Sequence, residues 1–303
     1  MKFGCVCLVG RPNAGKSTLL NRLIGVKIAI VSDKPQTTRT RILGVRNYPD
    51  AQVVFLDTPG IHRPLHRLNV RMVDTAVQAM REVDVLGLVI DAAEAPGRGD
   101  EYVKTLLKSA KCPVFLILNK IDLMRKPSLL PLIERHARTN AFAEIVPVSA
   151  KTGENCDRLE RVLIDRLPEG EALYPPDYVT DQPERFLVAE IVREKVLQFT
   201  RDEIPFASAV VIDRWEEPGG DTDGQAPLHR VYATVVVDRE SQKPILIGRN
   251  GEMIRRIGTA ARIEVEAFLG SRVFLDLRVR VRTEWREDDR LLGRIGVGGG
   301  SAE

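Results

Sequence analysis

Gly10-Arg-Pro-Asn-Ala-Gly-Lys-Ser17 is the stretch that decides the fold of the first half of this chain. It matches the pattern G-x-x-x-x-G-K-[ST] and lies between an apolar run, Phe3 to Val9, and an amphipathic run that begins at Lys16. A strand, a glycine-rich loop and a helix in this order are the context that a phosphate-binding loop requires. The glycines let backbone N–H groups and the helix N-terminus face negative charge. The predicted phosphate-contacting residues are Gly10, Arg11, Pro12, Asn13, Ala14, Gly15, Lys16, Ser17 and Thr18.

A second motif, Asp57-Thr58-Pro59-Gly60, ends the third predicted strand. The Asp57 carboxylate can hold Mg²⁺ together with the Ser17 hydroxyl, and the Gly60 N–H can sense a γ-phosphate. Lys16 can reach the β- and γ-phosphates. The motif follows the phosphate loop by one strand–helix–strand interval, so the two are predicted to form one site.

Two further motifs select the base. Asp122 of Asn119-Lys120-Ile121-Asp122 can accept hydrogen bonds from both N1–H and the exocyclic amine of guanine, which adenine cannot match. The stem of Lys120 can lie over the base, Asn119 can brace the phosphate loop, and the Ala150 N–H can donate to guanine O6. The predicted nucleotide contacts outside the phosphate loop are Asp57, Thr58, Pro59, Gly60, Ile61, Asn119, Lys120, Asp122, Leu123, Ser149, Ala150 and Lys151.

The four motifs resemble the guanine boxes of the translation-factor-related GTPases over Met1 to about Leu167. The resemblance implies GTP and GDP as ligands, GTP hydrolysis, and a switch threonine that closes on Mg²⁺. Thr38 is the predicted threonine, because it directly precedes Arg39, and Thr37 is the alternative. The implied catalytic residues are Lys16, Thr38, Asp57 and Gly60, and the implied Mg²⁺ ligands are Ser17, Thr38 and Asp57.

One position departs from the Ras-like pattern. Where Ras-like enzymes carry a glutamine that orients the attacking water, this chain has Ile61. An isoleucine cannot polarise water, so hydrolysis by the chain alone is expected to be slow or to use another group. Asn13 suggests one, because related GTPases with asparagine at this position hold K⁺ beside the phosphates.

Strand-like and helix-like runs alternate up to Leu167, which predicts an α/β domain with a mostly parallel sheet at 1–167. The proline-rich stretch 168–183 predicts an extended linker. An α-β-β-α-α-β order then predicts a smaller α+β domain at 184–296. It includes an amphipathic helix, Phe186 to Phe199, and a loop from Glu217 to Leu228. A glycine-rich flexible tail is expected at 297–303.

The second domain contains a G-x-x-G loop, Gly248-Arg-Asn-Gly251, at a helix–helix junction. With the α-β-β-α-α-β order it resembles a type II KH domain, in which such a loop clamps about four nucleotides. A groove lined by Ile247, Ile254 and Ile257 is expected beside it. Aromatic residues are sparse here, so base stacking is not predicted. The predicted RNA contacts are Ile247, Gly248, Arg249, Asn250, Gly251, Ile254 and Arg255.

A guanine-box domain followed by a KH domain resembles the Era family of bacterial ribosome-assembly GTPases. That resemblance implies binding of the 3′ region of 16S rRNA, a switch role in 16S rRNA maturation and 30S subunit biogenesis, and a cytoplasmic monomer found also at the inner face of the cell membrane. The alternative is an RNA- or membrane-associated GTPase, in tRNA modification or trafficking, whose second domain binds protein. An ATPase is disfavoured by Asn119 to Asp122.

Composition narrows the class further. A net charge of +3 over 303 residues means that any basic surface must be local. Four cysteines without metal-ligand spacing are typical of buried structural thiols in a reducing compartment. The N-terminal apolar run is too short for a signal peptide, and no run approaches the roughly 20 residues of a membrane span.

Overall fold

The structure, a computed structural model, describes residues 1–61, 67–95, 97–108, 110–139, 141–218 and 227–297. It divides into two compact units, Met1–Asp181 and Gln182–Glu303. Three sequence expectations fall at least partly outside the described residues. They are the tail from Gly298 to Glu303, the centre of the loop from Glu217 to Leu228, and the start of the helix that the sequence pattern predicts over Leu65 to Met80.

A six-stranded sheet forms the centre of the first unit. Its strands stand in the order β2-β3-β1-β4-β5-β6; β2 pairs antiparallel with β3, and the other neighbours are parallel. The mostly parallel sheet predicted from the sequence is confirmed. The strands are β1 (Lys2–Val9), β2 (Ile42–Asn47), β3 (Ala51–Asp57), β4 (Val85–Asp91), β5 (Val114–Asn119) and β6 (Glu144–Pro147).

Helices and two apolar clusters cover both faces of this sheet, as continuous apolar strands require. The helix that the sequence pattern predicts over about Leu129 to Thr139 begins earlier, at Lys126, because Pro127 suits the first turn of a helix. The helices are α1 (Lys16–Ile24), α2 (Arg67–Ala79), α3 (Arg98–Leu107), α4 (Lys126–Ala137) and α5 (Cys156–Arg166).

The proline-rich segment after α5 lies against the edge of this sheet. Val45 N donates to Val179 O at 2.8 Å, and the Thr180 hydroxyl donates to Leu43 O at 2.6 Å. The fully buried amide of Gln52 makes hydrogen bonds to the backbone of residues 173 and 174. The segment therefore covers the exposed edge of β2, which a sheet needs in order to avoid unwanted pairing.

A three-stranded sheet, in the order β7-β8-β9, forms the second unit with helices. β7 and β8 are antiparallel, whereas β8 and β9 are parallel. The KH-like order of elements is confirmed, with two short helices, α7 and α10, added to it. The elements are α6 (Glu184–Phe199), α7 (Ile204–Ala207), β7 (Ser208–Glu216), β8 (Leu228–Val237), α8 (Lys243–Ile247), α9 (Glu252–Leu269), β9 (Arg272–Val281) and α10 (Asp289–Arg294).

Helix α6 corrects the prediction of an amphipathic helix. Its charged residues Arg193, Glu194 and Lys195 are buried as well as its apolar ones. Arg193 forms a bidentate pair with Glu190 at 2.6 Å, and Lys195 pairs with Glu194 at 3.0 Å. The sequence suggested that this charged face is exposed to solvent, but the structure buries it. The ion pairs offset the cost of burying the charges.

The cysteines are free thiols in or beside the core. Cys7 and Cys156 are buried, Cys5 and Cys112 half-buried. Burial raises the pKa of Cys7 and raises that of Cys156 to about 11. These thiols therefore stay protonated and unreactive at neutral pH. None of the described helices has the length and apolar content needed to cross a bilayer.

Candidate nucleotide site and candidate RNA surface

Three side-chain oxygens meet where the phosphate loop enters α1. The Ser17 hydroxyl donates to Asp57 Oδ2 at 2.6 Å, and the hydroxyls of Ser17 and Thr38 are 2.8 Å apart. Thr38 Oγ1 also donates to Asp57 Oδ2 at 3.3 Å. Thr37 instead donates its hydroxyl to Lys34 O at 2.6 Å. Thr38, and not Thr37, is thus the threonine at this cluster.

The Asp57 carboxylate is fully buried, and its Oδ1 atom has no hydrogen-bond partner among the described residues. Burial raises the pKa of Asp57, while the Lys16 charge and the two hydroxyls oppose this rise. A buried carboxylate oxygen without a partner is costly unless a cation or donor binds it. The oxygen donors here are the ligand type that Mg²⁺ prefers, so the residues fit that ion.

Lys16 lies at the centre of the phosphate loop. Its ammonium donates to Gly10 O at 3.2 Å and to Arg11 O at 2.9 Å. It is 5% exposed, and burial lowers its pKa. A positive charge held by loop carbonyls in a cleft of about 400 Å³ is placed to bind phosphate oxygens.

Close packing sets the shape of the loop. A Cβ added at Gly60 would lie 2.7 Å from Pro12 Cα, so the Asp57–Gly60 turn touches the phosphate loop. Gly15 has φ +90°, a conformation that favours glycine. Ile61 N donates to Gly10 O at 3.0 Å, and the Ile61 side chain is fully buried. The residue at the glutamine position of Ras-like enzymes thus packs in the core and does not face the cleft.

The amide of Asn119 joins three motifs. Its Nδ2 donates to Ala14 O at 2.9 Å, and its Oδ1 accepts from Ala150 N at 3.0 Å. The Ala150 N–H is the donor that the sequence predicts for guanine O6. In the structure that N–H is directed to Asn119.

Asp122 is held by a neighbouring hydroxyl. Ser149 Oγ donates to Asp122 Oδ1 at 2.6 Å, and Ser149 itself is fully buried. Lys120 extends across the loop to Asp91, with Nζ and Oδ2 2.6 Å apart. Leu123 is 65% exposed. The carboxylate that was predicted to read the base is thus fixed in orientation.

Two predicted contacts point elsewhere. Arg11 pairs with Asp100 at 2.8 Å and Glu94 at 3.3 Å, which raises its pKa. Thr58 is fully buried and its hydroxyl donates to Leu8 O at 2.8 Å. Both side chains brace the loops around the cleft.

The structure also adds residues that the motifs missed. The segment between α1 and β2 lines the cleft, and the Asn13 amide donates to Asp33 O at 2.7 Å within it. The apolar triplet at 28–30, which is buried within this segment, was the sequence signal that could have shown that the segment packs against the domain. The missed cleft residues are Ile30, Val31, Ser32, Asp33, Gln36 and, from another loop, Glu94.

The G-x-x-G loop of the second unit is open. Gly248 and Gly251 have φ of +74° and +76°, and Asn250 between them has φ +51°. A Cβ added at Gly251 would meet nothing within 4 Å, so a ligand backbone can approach there. Arg249 and Asn250 are exposed.

An apolar groove follows this loop, with a different lining from the one expected. Ile254 lines it as predicted, and Arg255, predicted as an RNA contact, lines it as well, but Ile257 is fully buried in the core. Leu275 and Leu277 of β9 form the opposite wall, and Ile247 does not line the groove. The alternating sequence from Val273 to Val281 predicts this half-exposed strand, but not that its leucines line the groove.

Comparison with known proteins accounts for both units. A family model described as a 50S ribosome-binding GTPase matches residues 5–120, and a KH domain model matches residues 203–286. No group of three or more His, Cys, Asp or Glu side chains that could hold a metal ion occurs in the described ranges. The class is that of P-loop GTPases that carry a KH domain.

The relatives are more specific. The chain is 49% identical to the GTPase Era of Geobacter metallireducens over 97% of both chains. It is 47% identical to that of Staphylococcus haemolyticus, covering 97% of both. The structure matches Aquifex aeolicus Era bound to GDP and aluminium fluoride with a TM-score of 0.92, at 44% identity over 98% of this chain and 99% of that one.

A second solved structure, Era in complex with MgGDPNP and nucleotides 1506–1542 of 16S ribosomal RNA, matches equally, with a TM-score of 0.92, 44% identity and coverage of 98% and 99%. The chain belongs to the Era family of GTPases. It binds guanine nucleotides and hydrolyses GTP.

Proposed function

We propose that this GTPase binds the 3′ region of 16S rRNA through its KH unit and acts as a nucleotide-controlled switch in 16S rRNA maturation and 30S subunit biogenesis. The observation that carries the proposal is the open G-x-x-G loop beside an apolar groove, in a chain that also holds a guanine nucleotide site. The Era structure with a 16S rRNA fragment supports the choice of RNA.

The residues of the nucleotide site have separate roles in this proposal. Lys16 binds phosphate oxygens, Asp122 reads the guanine edge, and Asn119 keeps the two loops in register. Mg²⁺ is proposed to be held by Ser17, Thr38 and Asp57, where it would neutralise charge on the transferred phosphoryl group. Gly60 is proposed to report the γ-phosphate, since its turn touches the phosphate loop.

K⁺ is proposed as an additional cofactor at Asn13. The amide of Asn13 lies at a backbone carbonyl, Asp33 O, and amide and carbonyl oxygens can replace the hydration shell of K⁺. The ion would supply the positive charge that buried Ile61 cannot. Turnover measured with K⁺ replaced by Na⁺ at constant ionic strength should fall. An unchanged rate would remove K⁺ from the proposal.

The domain division proposed from the sequence is a nucleotide domain at 1–167, a linker at 168–183 and a KH domain at 184–296. The resemblance to the Era family supports a monomer in the cytoplasm that associates peripherally with the inner face of the cell membrane. Light scattering during gel filtration tests the monomer. Flotation with anionic lipid vesicles tests the association, and protein that stays at the bottom of the gradient contradicts it.

RNA binding is tested with the double variant Arg249→Asp, Asn250→Asp. We expect loss of binding to a 16S rRNA 3′ fragment and unchanged GTP hydrolysis, because the loop lies in the other unit from the nucleotide site. The matched control, Arg158→Ala with Arg161→Asp on exposed positions of α5, makes the same change of net charge. Equal RNA affinity for the loop variant and the wild type would favour the protein-binding alternative.

The switch itself needs a separate measurement. Affinity for the fragment is compared with GDP and with a non-hydrolysable GTP analogue bound. We expect tighter RNA binding in one state, since γ-phosphate contacts order the segments around Thr38 and Gly60. Equal affinities would leave an RNA-binding GTPase without a switch. Crosslinking and sequencing of bound RNA in cells would then identify the RNA directly.

A further inference from the structure

The sheet of the second unit brings two aromatic rings together on the face opposite the groove. The rings of Tyr232 on β8 and Phe274 on β9 have centroids 6.0 Å apart at 62°. Phe274 is 49% exposed, although it is a large apolar side chain in the middle of a sheet face. No stacking surface is predicted from the sequence, where aromatic residues are sparse. Tyr232 and Phe274 lie far apart in the chain and meet through strand pairing.

Alternation along β9 separates the two faces. Leu275 and Leu277 line the groove beside α9, so their neighbours Phe274, Asp276 and Arg278 face the other way. β9 is also an edge strand of its sheet. One strand therefore carries the wall of the groove on one side and the aromatic face on the other, with no further strand beyond it among the described residues.

Cations surround the aromatic pair. Arg230 lies directly opposite Phe274 in the strand register, and the Arg214 guanidinium lies 5.7 Å from the centre of the Tyr232 ring. The face has five exposed arginines against three carboxylates. Within the described ranges, Arg230, Arg272 and Arg280 form no ion pair. The exposed arginines are Arg214, Arg230, Arg272, Arg278 and Arg280, and the carboxylates are Asp213, Glu216 and Asp276.

An exposed and a half-buried ring beside arginines, three of them without an ion pair among the described residues, are the chemistry of single-stranded nucleic acid binding. Bases stack on aromatic faces and on guanidinium planes, while the cations track the phosphates. In a duplex the base faces are already stacked on one another, so a stacking surface selects unpaired RNA. An apolar protein partner fits less well, because two rings amid five arginines give little continuous apolar area.

We propose that this face, defined by Tyr232, Phe274 and the five arginines, is a second binding surface for single-stranded RNA. A strand that leaves the groove crosses the edge strand β9 and continues onto this face. The proposal rests on the proposed RNA-binding function of the KH unit and extends its footprint beyond the about four nucleotides that a KH groove holds.

The test compares two labelled single-stranded RNAs by fluorescence anisotropy. The short RNA has about four nucleotides and fills the groove alone, and the long one has about twelve, enough to reach a second surface. Phe274→Ala should weaken binding of the long RNA at least about five-fold, the effect of losing one stacked base, and leave the short RNA unchanged. The matched control is Phe268→Ala, which removes an exposed phenylalanine from α9.

A second variant keeps the test valid if the aromatic change alters folding. Arg230→Glu with Arg280→Glu should reduce the dependence of long-RNA affinity on salt by roughly 0.7 per lost phosphate contact in the log–log slope. Ultraviolet crosslinking of the long RNA should label Tyr232 or Phe274. Wild-type affinity of both variants for the long RNA would overturn the proposal. The face would then be interpreted as a binding surface for a protein.

The two proposals fail in different ways. If the wild-type protein binds neither RNA, the proposed RNA-binding function fails and this surface falls with it. If the double variant Arg249→Asp, Asn250→Asp binds neither RNA while Phe274→Ala binds both as the wild type does, RNA binding in the groove is supported and only the second surface is contradicted.

Discussion

The two units of this protein handle negatively charged ligands in opposite ways. In the first, Lys16, Asp57 and Asn119, three groups proposed to serve the nucleotide site, are buried, and each is hydrogen-bonded to neighbouring residues of that site. In the second, the G-x-x-G loop and the arginines of the sheet face solvent. A small ligand that must be told from close analogues needs fixed, desolvated partners. A long polymer needs many accessible cations instead.

The largest expected effect is on recognition of the guanine base in the first unit. Asp122→Asn should lower the preference for GTP over xanthosine triphosphate by ~10³-fold, because the side chain that accepted two hydrogen bonds becomes partly a donor. Competition binding of the two nucleotides measures it, and Asp165→Asn on exposed α5 is the control. Retained preference for GTP would disprove the assignment of Asp122. RNA affinity should not change.

An intermediate effect is expected from salt, which should weaken RNA binding more than GTP binding. Raising salt from about 50 to about 200 mM should weaken RNA binding roughly ten-fold, since single-stranded RNA loses counterions for each phosphate contacted. GTP affinity at constant Mg²⁺ should change much less, because a buried site is poorly screened. Parallel titrations of both ligands test this. Equal salt slopes would mean that the nucleotide site is as open as the RNA surface.

The smallest effect concerns the support of Asp122. Ser149→Ala removes the 2.6 Å hydrogen bond that orients this carboxylate and should weaken guanine nucleotide binding, of GDP as of GTP, about five-fold, or ~1 kcal/mol. Calorimetry with GDP provides the measurement, with exposed Ser128→Ala as the control. If affinity stays at the wild-type value, the carboxylate is held by other contacts and Ser149 has no positioning role.

The sequence predicted the first unit better than the second, for a physical reason. Phosphate and base motifs are contiguous, so Gly10 to Ser17 and Asn119 to Asp122 carry their own geometry. The Arg11–Asp100 pair and the Asn13–Asp33 contact depend on the fold and left no local signal.

In the second unit the useful pairings are between strands. The groove wall at Leu275 and the ring pair of Tyr232 and Phe274 arise only from register and from the two sides of β9. The burial of helix α6 also depends on tertiary packing, which its own sequence does not show. Its charges suggested a solvated face that tertiary packing covers.

The Asn119 amide has a consequence for how this protein can evolve. It connects the phosphate loop at Ala14 with the base-reading loop at Ala150, and a Cβ on Gly15 would lie 2.2 Å from its nitrogen. Substitutions in any one of the three motifs thus change the fit of the other two, and their effects will not add. The motifs can diverge only together, so drift in this site is confined to coordinated replacements, whereas the open arginine face can change one residue at a time.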